Sequence, residues 1–538
     1  MNLVGNTMEH IQNPILRGFN PDPSIIRVGS DYYIATSTFE WFPGIQIHHS
    51  TDLIHWELIA HPLERESQVS MLGEDNSCGV WAPCLSYSDG TFYLIYTDVK
   101  SFEGMFKDTH NYLITAKDIK GPWSDPVYLN SSGFDPSLFH DKSGKKYLVN
   151  MLMDYRSYQS KFGGIVLQEY SEKEEKLVGE RSVIFKGSPV GYVEGPHLYW
   201  HEGYYYLITA EGTTEYNHAV TVARSKEITG PYETAPNTPM LTTRHLPQYD
   251  IQKVGHGCLV ETEEHEWYMT FLCSRPLGEK RRCILGRETG IDRIQWKGGW
   301  PYPENMGNYP AMEPEILGKA DESCNAPVGE PCDIQEDFED NFWSIHLQSL
   351  RAPLGKRADL KARKGWLRLY GAESLNSKYK QSLLAHRQQE FCCQVDTKLD
   401  FDPVNFQQMA GLTYFYNTKC YYYLYVTRDE IMGKTLSMIK CDLGKGSHPL
   451  GVGISIPDKG SIWLRLNTYG ETAQFSYSLN GIDYEKTGEP VDATILSDDY
   501  FNKLGHIMFT GAFAGICCQD LSGEGCFADF DFLYYKNN

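Results

Sequence analysis

Asp22-Pro-Ser-Ile-Ile-Arg27, followed by Asp31-Tyr-Tyr-Ile34, decides the fold because it recurs. Related pairs are Ala82-Pro-Cys-Leu-Ser-Tyr87 with Thr91-Phe-Tyr-Leu94, and Asp135-Pro-Ser-Leu-Phe-His140 with Lys146-Tyr-Leu-Val149. Two more are Gly195-Pro-His-Leu-Tyr-Trp200 with Tyr204-Tyr-Tyr-Leu207, and His256-Gly-Cys-Leu-Val-Glu261 with Glu266-Trp-Tyr-Met269. The starts lie roughly 55 to 60 residues apart, a period of radial or stacked repeats. Each unit reads as a strand, a Gly/Asp turn and a second, aromatic strand. A third alternating element follows, as in Ile45-Gln-Ile-His-His49, Tyr112-Leu-Ile-Thr-Ala116 and Val220-Thr-Val-Ala-Arg224. Turns such as Gly121-Pro-Trp123 and Gly230-Pro-Tyr232 lead to an edge strand. Five blades of three or four strands predict a β-propeller whose first strands line the centre. Asp22, Asp135, Glu194 and His256 should then converge from different blades.

The texture changes after residue 310. Residues 311–332 carry Gly, Pro and acidic residues without periodicity. Beyond them come short alternating strands, such as Trp366-Leu-Arg-Leu-Tyr370, Tyr421-Tyr-Tyr-Leu-Tyr-Val426 and Ile462-Trp-Leu-Arg-Leu-Asn467, without the earlier repeat. They predict a β-sandwich of the jelly-roll or concanavalin-like kind. The expected organisation is all-β: a propeller over 1–315, a linker over 316–332 and a sandwich over 333–538.

Composition narrows the function. Asp and Glu outnumber Lys and Arg by 70 to 49, giving a net charge of −21, and no basic stripe appears. A nucleic-acid partner is therefore not expected. No apolar stretch is long enough to span a bilayer, and the first residues lack a basic and an apolar region of a secretory signal. A cytoplasmic location is expected, with the 14 Cys as reduced thiols. Adjacent pairs such as Cys517-Cys518 should place one thiol on each side of a sheet. Aromatic residues reach 13%, which suits strands and also stacking on sugar rings.

The repeat positions supply the chemistry. A single Asp-Pro reads as a turn starter. Three acids at related blade positions are costly to bury for structure alone. Two carboxyl groups flanking a bond, one ionised and one protonated, suffice to hydrolyse a glycosidic bond. A third carboxylate nearby can raise the pKa of the acid by like-charge repulsion.

Asn20-Pro-Asp-Pro-Ser24, Gly79-Val-Trp-Ala-Pro83, Gly133-Phe-Asp-Pro-Ser137, Val193-Glu-Gly-Pro-His197 and Leu285-Gly-Arg-Glu-Thr289 together resemble glycoside hydrolase family 43, in its two-domain β-xylosidase branch. The likeness extends to Phe509-Thr-Gly-Ala-Phe-Ala-Gly-Ile-Cys-Cys-Gln-Asp520. The resemblance implies an inverting mechanism with Asp22 as general base, Glu194 as general acid and Asp135 as the residue that orients the acid and raises its pKa. It implies substrate contacts from Arg287, His256, Trp81 and Phe39, and pocket closure by a sandwich Phe, with Phe513 the first choice and Phe509 the alternative. It requires no cofactor for catalysis. It suggests a structural Ca²⁺ in the sandwich, for which Asp337 and Asp531 are the candidates, since hard oxygen ligands suit that ion. Dimers or tetramers are the assemblies it brings.

The expected activity is exo-hydrolysis of β-1,4-xylo-oligosaccharides at the non-reducing end, with α-L-arabinofuranosidase side activity. A dedicated α-L-arabinofuranosidase or an arabinanase is the alternative within the family. A non-catalytic sugar-binding propeller is the alternative outside it, and predicts loss of an acid. The residues leave xylose against arabinose preference and the oligomeric state open.

Overall fold

A computed structural model of the chain describes residues 7–318, 333–502 and 504–538. Its first half holds five antiparallel sheets, each in simple sequence order. The first blade is Ser24–Val28, Asp31–Thr36, Gln46–Ser50 and Glu57–Ala60; the fifth is Gln252–Glu261, Trp267–Ser274, Glu288–Lys297 and Trp300–Pro303. The five leading strands pack on one another in a ring: Ser24–Val28, Gly79–Ser88, Ser137–His140, Glu194–His201 and Gln252–Glu261. Aromatic second strands fill the space between blades, as with Tyr206, Tyr268 and Phe271.

The ring is closed by the N-terminal segment. Thr7–His10 pairs antiparallel with Glu315–Gly318. The backbone at Leu16 bridges Thr289, and the Asn13 amide donates to the Ile291 and Ala311 carbonyls at 2.8 Å each. Residues 316–318, expected to begin a linker, thus belong to a strand. The rest of that expected linker, 319–332, lies outside the described residues.

The second half is a sandwich of a nine-stranded and a seven-stranded antiparallel sheet. Burial patterns reveal what each covers. Cys393–Phe401 and Ile462–Tyr469, in the larger sheet, alternate buried and half-buried residues, so one face meets the core and one meets water. Cys420–Asp429, in the smaller sheet, is buried over its first eight residues. Tyr422, Leu424 and Val426 face the sandwich core, whereas Tyr421, Tyr423 and Tyr425 pack with Phe19, Phe39 and Trp41 of the propeller. Cys517 and Cys518 divide the same way, one to each side.

The two halves therefore share a core. Backbone pairing also crosses between them, where Ser349–Leu350 lies antiparallel to Trp41–Phe42. The buried Lys253 ammonium of blade V meets Asp499 at 2.9 Å, within the short helix Asp498–Asn502. No helix among the described residues is long and apolar enough to cross a membrane.

Candidate active site

The heads of the inner strands share an unusual backbone. Asp22, Asp135, Gly195 and His256 all adopt left-handed φ, between +50° and +55°. Such conformations cost about 1–3 kcal/mol for a non-glycine residue and concentrate at functional sites. Asp tolerates them better than most residues. At Gly195 a side chain would be crowded as well as strained, because a Cβ would approach the His256 ring at 3.1 Å and Ala210 Cβ at 3.2 Å, so that these neighbours would have to give. Blade II departs from the pattern: Gly79–Ser88 runs through the equivalent point with an irregularity between Trp81 and Cys84.

These heads open into a cavity of about 630 Å³. Asp22, Asp135, Glu194, His256, Arg287, Trp81 and Phe39 all line it, so seven of the eight residues expected there are brought together. Asp22 accepts a hydrogen bond from the Ser37 hydroxyl at 2.6 Å and one from Arg287 Nη1 at 3.4 Å, and His256 Nδ1 stands 3.9 Å away. Burial lowers the His256 pKa, although Asp22 opposes the shift. Asp135 accepts the Gly195 N–H at 3.1 Å, which sets its carboxyl beside the residue following Glu194.

The three acids differ in environment. Burial, then the charges of Asp135 and Asp22, hold the Glu194 pKa well above the carboxylate range. Asp135 is raised to about 8 by burial and by Asp22, with the Gly195 N–H and Arg287 pulling the other way. The cluster thus retains protons near neutrality, as closely placed acids in a dry pocket must. The Glu194 carboxyl makes no hydrogen bond to any other described residue, which leaves it free to meet a ligand.

Aromatic rings form the remaining wall. Phe39 and Trp81 have centroids 5.7 Å apart, and Phe509 lies 5.8 Å from Phe39 and 5.2 Å from Trp81. Phe509 arrives from the sandwich. Arg287 binds its carbonyl through Nε at 3.2 Å and Nη2 at 3.0 Å, and its guanidinium lies 5.1 Å from both the Phe39 and Phe509 rings. One arginine thereby ties the blade I carboxylate to the sandwich loop. The close approach depends on Gly286, where a Cβ would sit 2.8 Å from the Thr510 carbonyl.

Phe513, the expected closing residue, is elsewhere. Its ring is fully buried and stacked on Trp41 at 3.7 Å, because it belongs to the strand Phe513–Asp520 whose outer face packs on the propeller. Phe509 precedes that strand, in a loop free to reach the cavity. A larger hollow of about 760 Å³ on the sandwich contains two ion pairs of its own, Arg363 with Asp400 and Arg368 with Asp529.

Comparison with known proteins fits this geometry. Residues 11–301 match the model for glycosyl hydrolases family 43. The chain belongs to that family. Residues 335–536 match the β-xylosidase C-terminal concanavalin A-like domain. The chain is 48% identical to a β-xylosidase of Bacillus subtilis, covering 98% of this chain and 99% of that one. It is 46% identical to a xylosidase/arabinosidase 43B of Humicola insolens, covering 98% of each. A solved xylan β-1,4-xylosidase from Bacillus halodurans superposes with a TM-score of 0.93 at 50% identity, covering 98% of this chain and all of that one.

The sandwich carboxylates expected to hold Ca²⁺ do not form a shell in this family 43 chain. Asp531 pairs with Lys398 at 2.8 Å, and Asp337 accepts the Tyr534 hydroxyl. Each is committed to a protein partner, and no cluster of three or more His, Cys, Asp or Glu suited to a metal occurs among the described residues.

Several pocket residues escaped the sequence reading. Phe134 immediately precedes Asp135 as Trp81 precedes Ala82, so the repeat itself carried that signal. Phe102 follows the second strand of blade II much as Phe39 follows that of blade I. Thr214, which accepts from Arg287 Nη1 at 3.1 Å, lies in a loop with no periodic signature.

Proposed function

We propose that the chain is an exo-acting, inverting β-xylosidase that removes xylose from the non-reducing end of β-1,4-xylo-oligosaccharides. Asp22 takes a proton from the attacking water, and Glu194 delivers one to the leaving oxygen. Asp135 holds the Gly195 backbone and, where it is ionised, its charge keeps the proton on Glu194. Arg287 and His256 bind the terminal sugar near Asp22, and Phe39, Trp81 and Phe509 stack on it.

One observation carries the reading: a half-buried acid with a raised pKa shares an aromatic pocket with a second carboxyl held by an arginine and a serine. That is the division of labour acid–base glycoside hydrolysis needs. Closure by Phe509 favours one terminal sugar over a chain running through, hence exo action. The names of the Bacillus relatives support xylose as that sugar, and the Humicola relative supports arabinofuranoside side activity. Buried free thiols, eleven of the twelve among the described residues, agree with action on imported oligosaccharides in a reducing cytoplasm.

Early NMR spectra of xylobiose hydrolysis test the mechanism. Direct attack by water releases α-xylose first, before mutarotation. Initial β-xylose would overturn inversion. Asp22→Ala and Glu194→Ala should each lose about 10²–10⁴-fold or more in kcat. Aryl xylosides with very good leaving groups should restore part of the loss in Glu194→Ala only, because they need little protonation.

A further inference from the structure

The pocket has a polarity the catalytic groups do not use. Its carboxyl groups sit at the heads of the inner strands. Two lysines, Lys107 and Lys161, line the same cavity from loops of blades II and III. Both stand out in a chain of net charge −21. Neither forms an ion pair with a described carboxylate. Lys107 Nζ is held by the Phe102 carbonyl at 2.6 Å and lies 5.1 Å from the Phe102 ring; Lys161 is exposed.

Their place relative to Glu194 matters. Lys107 is half-buried, and its ammonium feels both Lys161 and Glu194. Burial, then the repulsion from Lys161, lower its pKa, while Cys78, Glu103 and Glu194 partly compensate. Two like charges beside a pocket mouth, neither in an ion pair with a described carboxylate, form an incomplete arrangement. An anion arriving there would complete it. If Glu194 protonates the leaving oxygen, the leaving sugar lies on its outer side, toward these lysines. Carboxyl groups crowd the inner end of the site whereas lysines flank its outer end, so the two ends have opposite preferences.

We propose that Lys107 and Lys161 form a leaving-group subsite that accepts a carboxylate-bearing sugar, such as a xylo-oligosaccharide whose leaving-side xylose carries a uronic acid branch. This rests on the β-xylosidase reading and adds a substrate class to it. The lysines draw the anion in by charge and take no part in proton transfer. Because Lys161 is exposed, its contribution is screened by salt.

The test compares two substrates in one enzyme: xylotriose bearing a glucuronic acid branch on its second xylose, and the same compound with the uronic carboxyl reduced to an alcohol. They differ in charge and barely in shape. The quantity read is the ratio of their kcat/KM values, anionic over neutral. Lys107→Met and Lys161→Met should each lower that ratio about 1.5- to 5-fold, the range of a partly exposed ion pair. Lys107→Arg should retain it, and raising the ionic strength should lower it in wild type. A ratio unchanged in both Met variants would overturn the proposal. So would an equal loss on both substrates, which would mark the lysines as structural supports of their loops. A wild type that cleaves xylotriose but rejects the uronyl branch would also overturn it. Failure to cleave xylotriose at all would instead refute the underlying β-xylosidase reading.

Discussion

Replacing Asp135 by Asn separates the electrostatic role of this residue from a proton-transfer role. The amide oxygen can still accept the Gly195 N–H, now at 3.1 Å, so the local shape survives. What disappears is the charge, which is the second-largest cause holding the Glu194 pKa up; burial is the first and remains. The fall should therefore be partial. The sign follows from repulsion: with Asp135 neutral at every pH, Glu194 loses its proton more easily. The basic limb of the kcat/KM profile reports loss of the proton from the general acid. It should move to lower pH on a neutral aryl β-xyloside, and kcat on that basic limb should fall as less Glu194 is protonated. Asp135 itself titrates at about 8, so the wild-type limb belongs to the acid cluster as a whole. The variant should show a simpler, single-group limb. A basic limb that stays in place or moves to higher pH, in a variant with unchanged thermal stability, would refute the reasoning.

Three further outcomes follow from the same geometry. Phe509→Ala should lower kcat/KM about two- to tenfold, the worth of an aromatic contact, and leave the melting temperature nearly unchanged; Phe513→Ala should do the reverse, costing about 3–5 kcal/mol of stability in denaturant titrations because the ring is buried on Trp41. Arg287→Lys keeps the charge but cannot grip the Phe509 carbonyl through two nitrogens, so kcat/KM should fall about 10- to 100-fold, the scale of charge-assisted hydrogen bonds; activity near wild type would mean that the fork geometry is dispensable. Lys253→Met leaves Asp499 and Glu215 without their shared cation, 2.9 and 3.3 Å away, and should cost about 3–5 kcal/mol in denaturant titrations, since a buried pair is broken from one side.

The sequence by itself determined the five-fold repeat and, through it, the convergence of the acids. Repetition is a local signal: each blade writes the same strand–turn–strand pattern, and the residue before or at each inner-strand head reads out a position near the axis. Asp22, Asp135, Glu194 and His256 were legible for that reason, and Trp81 and Phe39 through their places beside those strands. Phe134 and Phe102 obeyed the same positional rule and went unread.

What the tertiary structure decided lies where the repeat does not reach. The choice between Phe509 and Phe513 turns on whether a residue belongs to a strand packed on the propeller or to the loop before it, and both sit in one aromatic-rich run of sequence. The commitment of Asp337 to Tyr534 and of Asp531 to Lys398 is a matter of strand register across the sandwich, which local sequence does not encode. Arg287 could be placed in the site from its motif, but its hold on the Phe509 carbonyl depends on a contact between residues 222 positions apart. The burial of the smaller sheet on both faces likewise required the propeller as its partner. Periodicity fixes which side a residue faces, while the identity of what it faces is set only when distant segments pack.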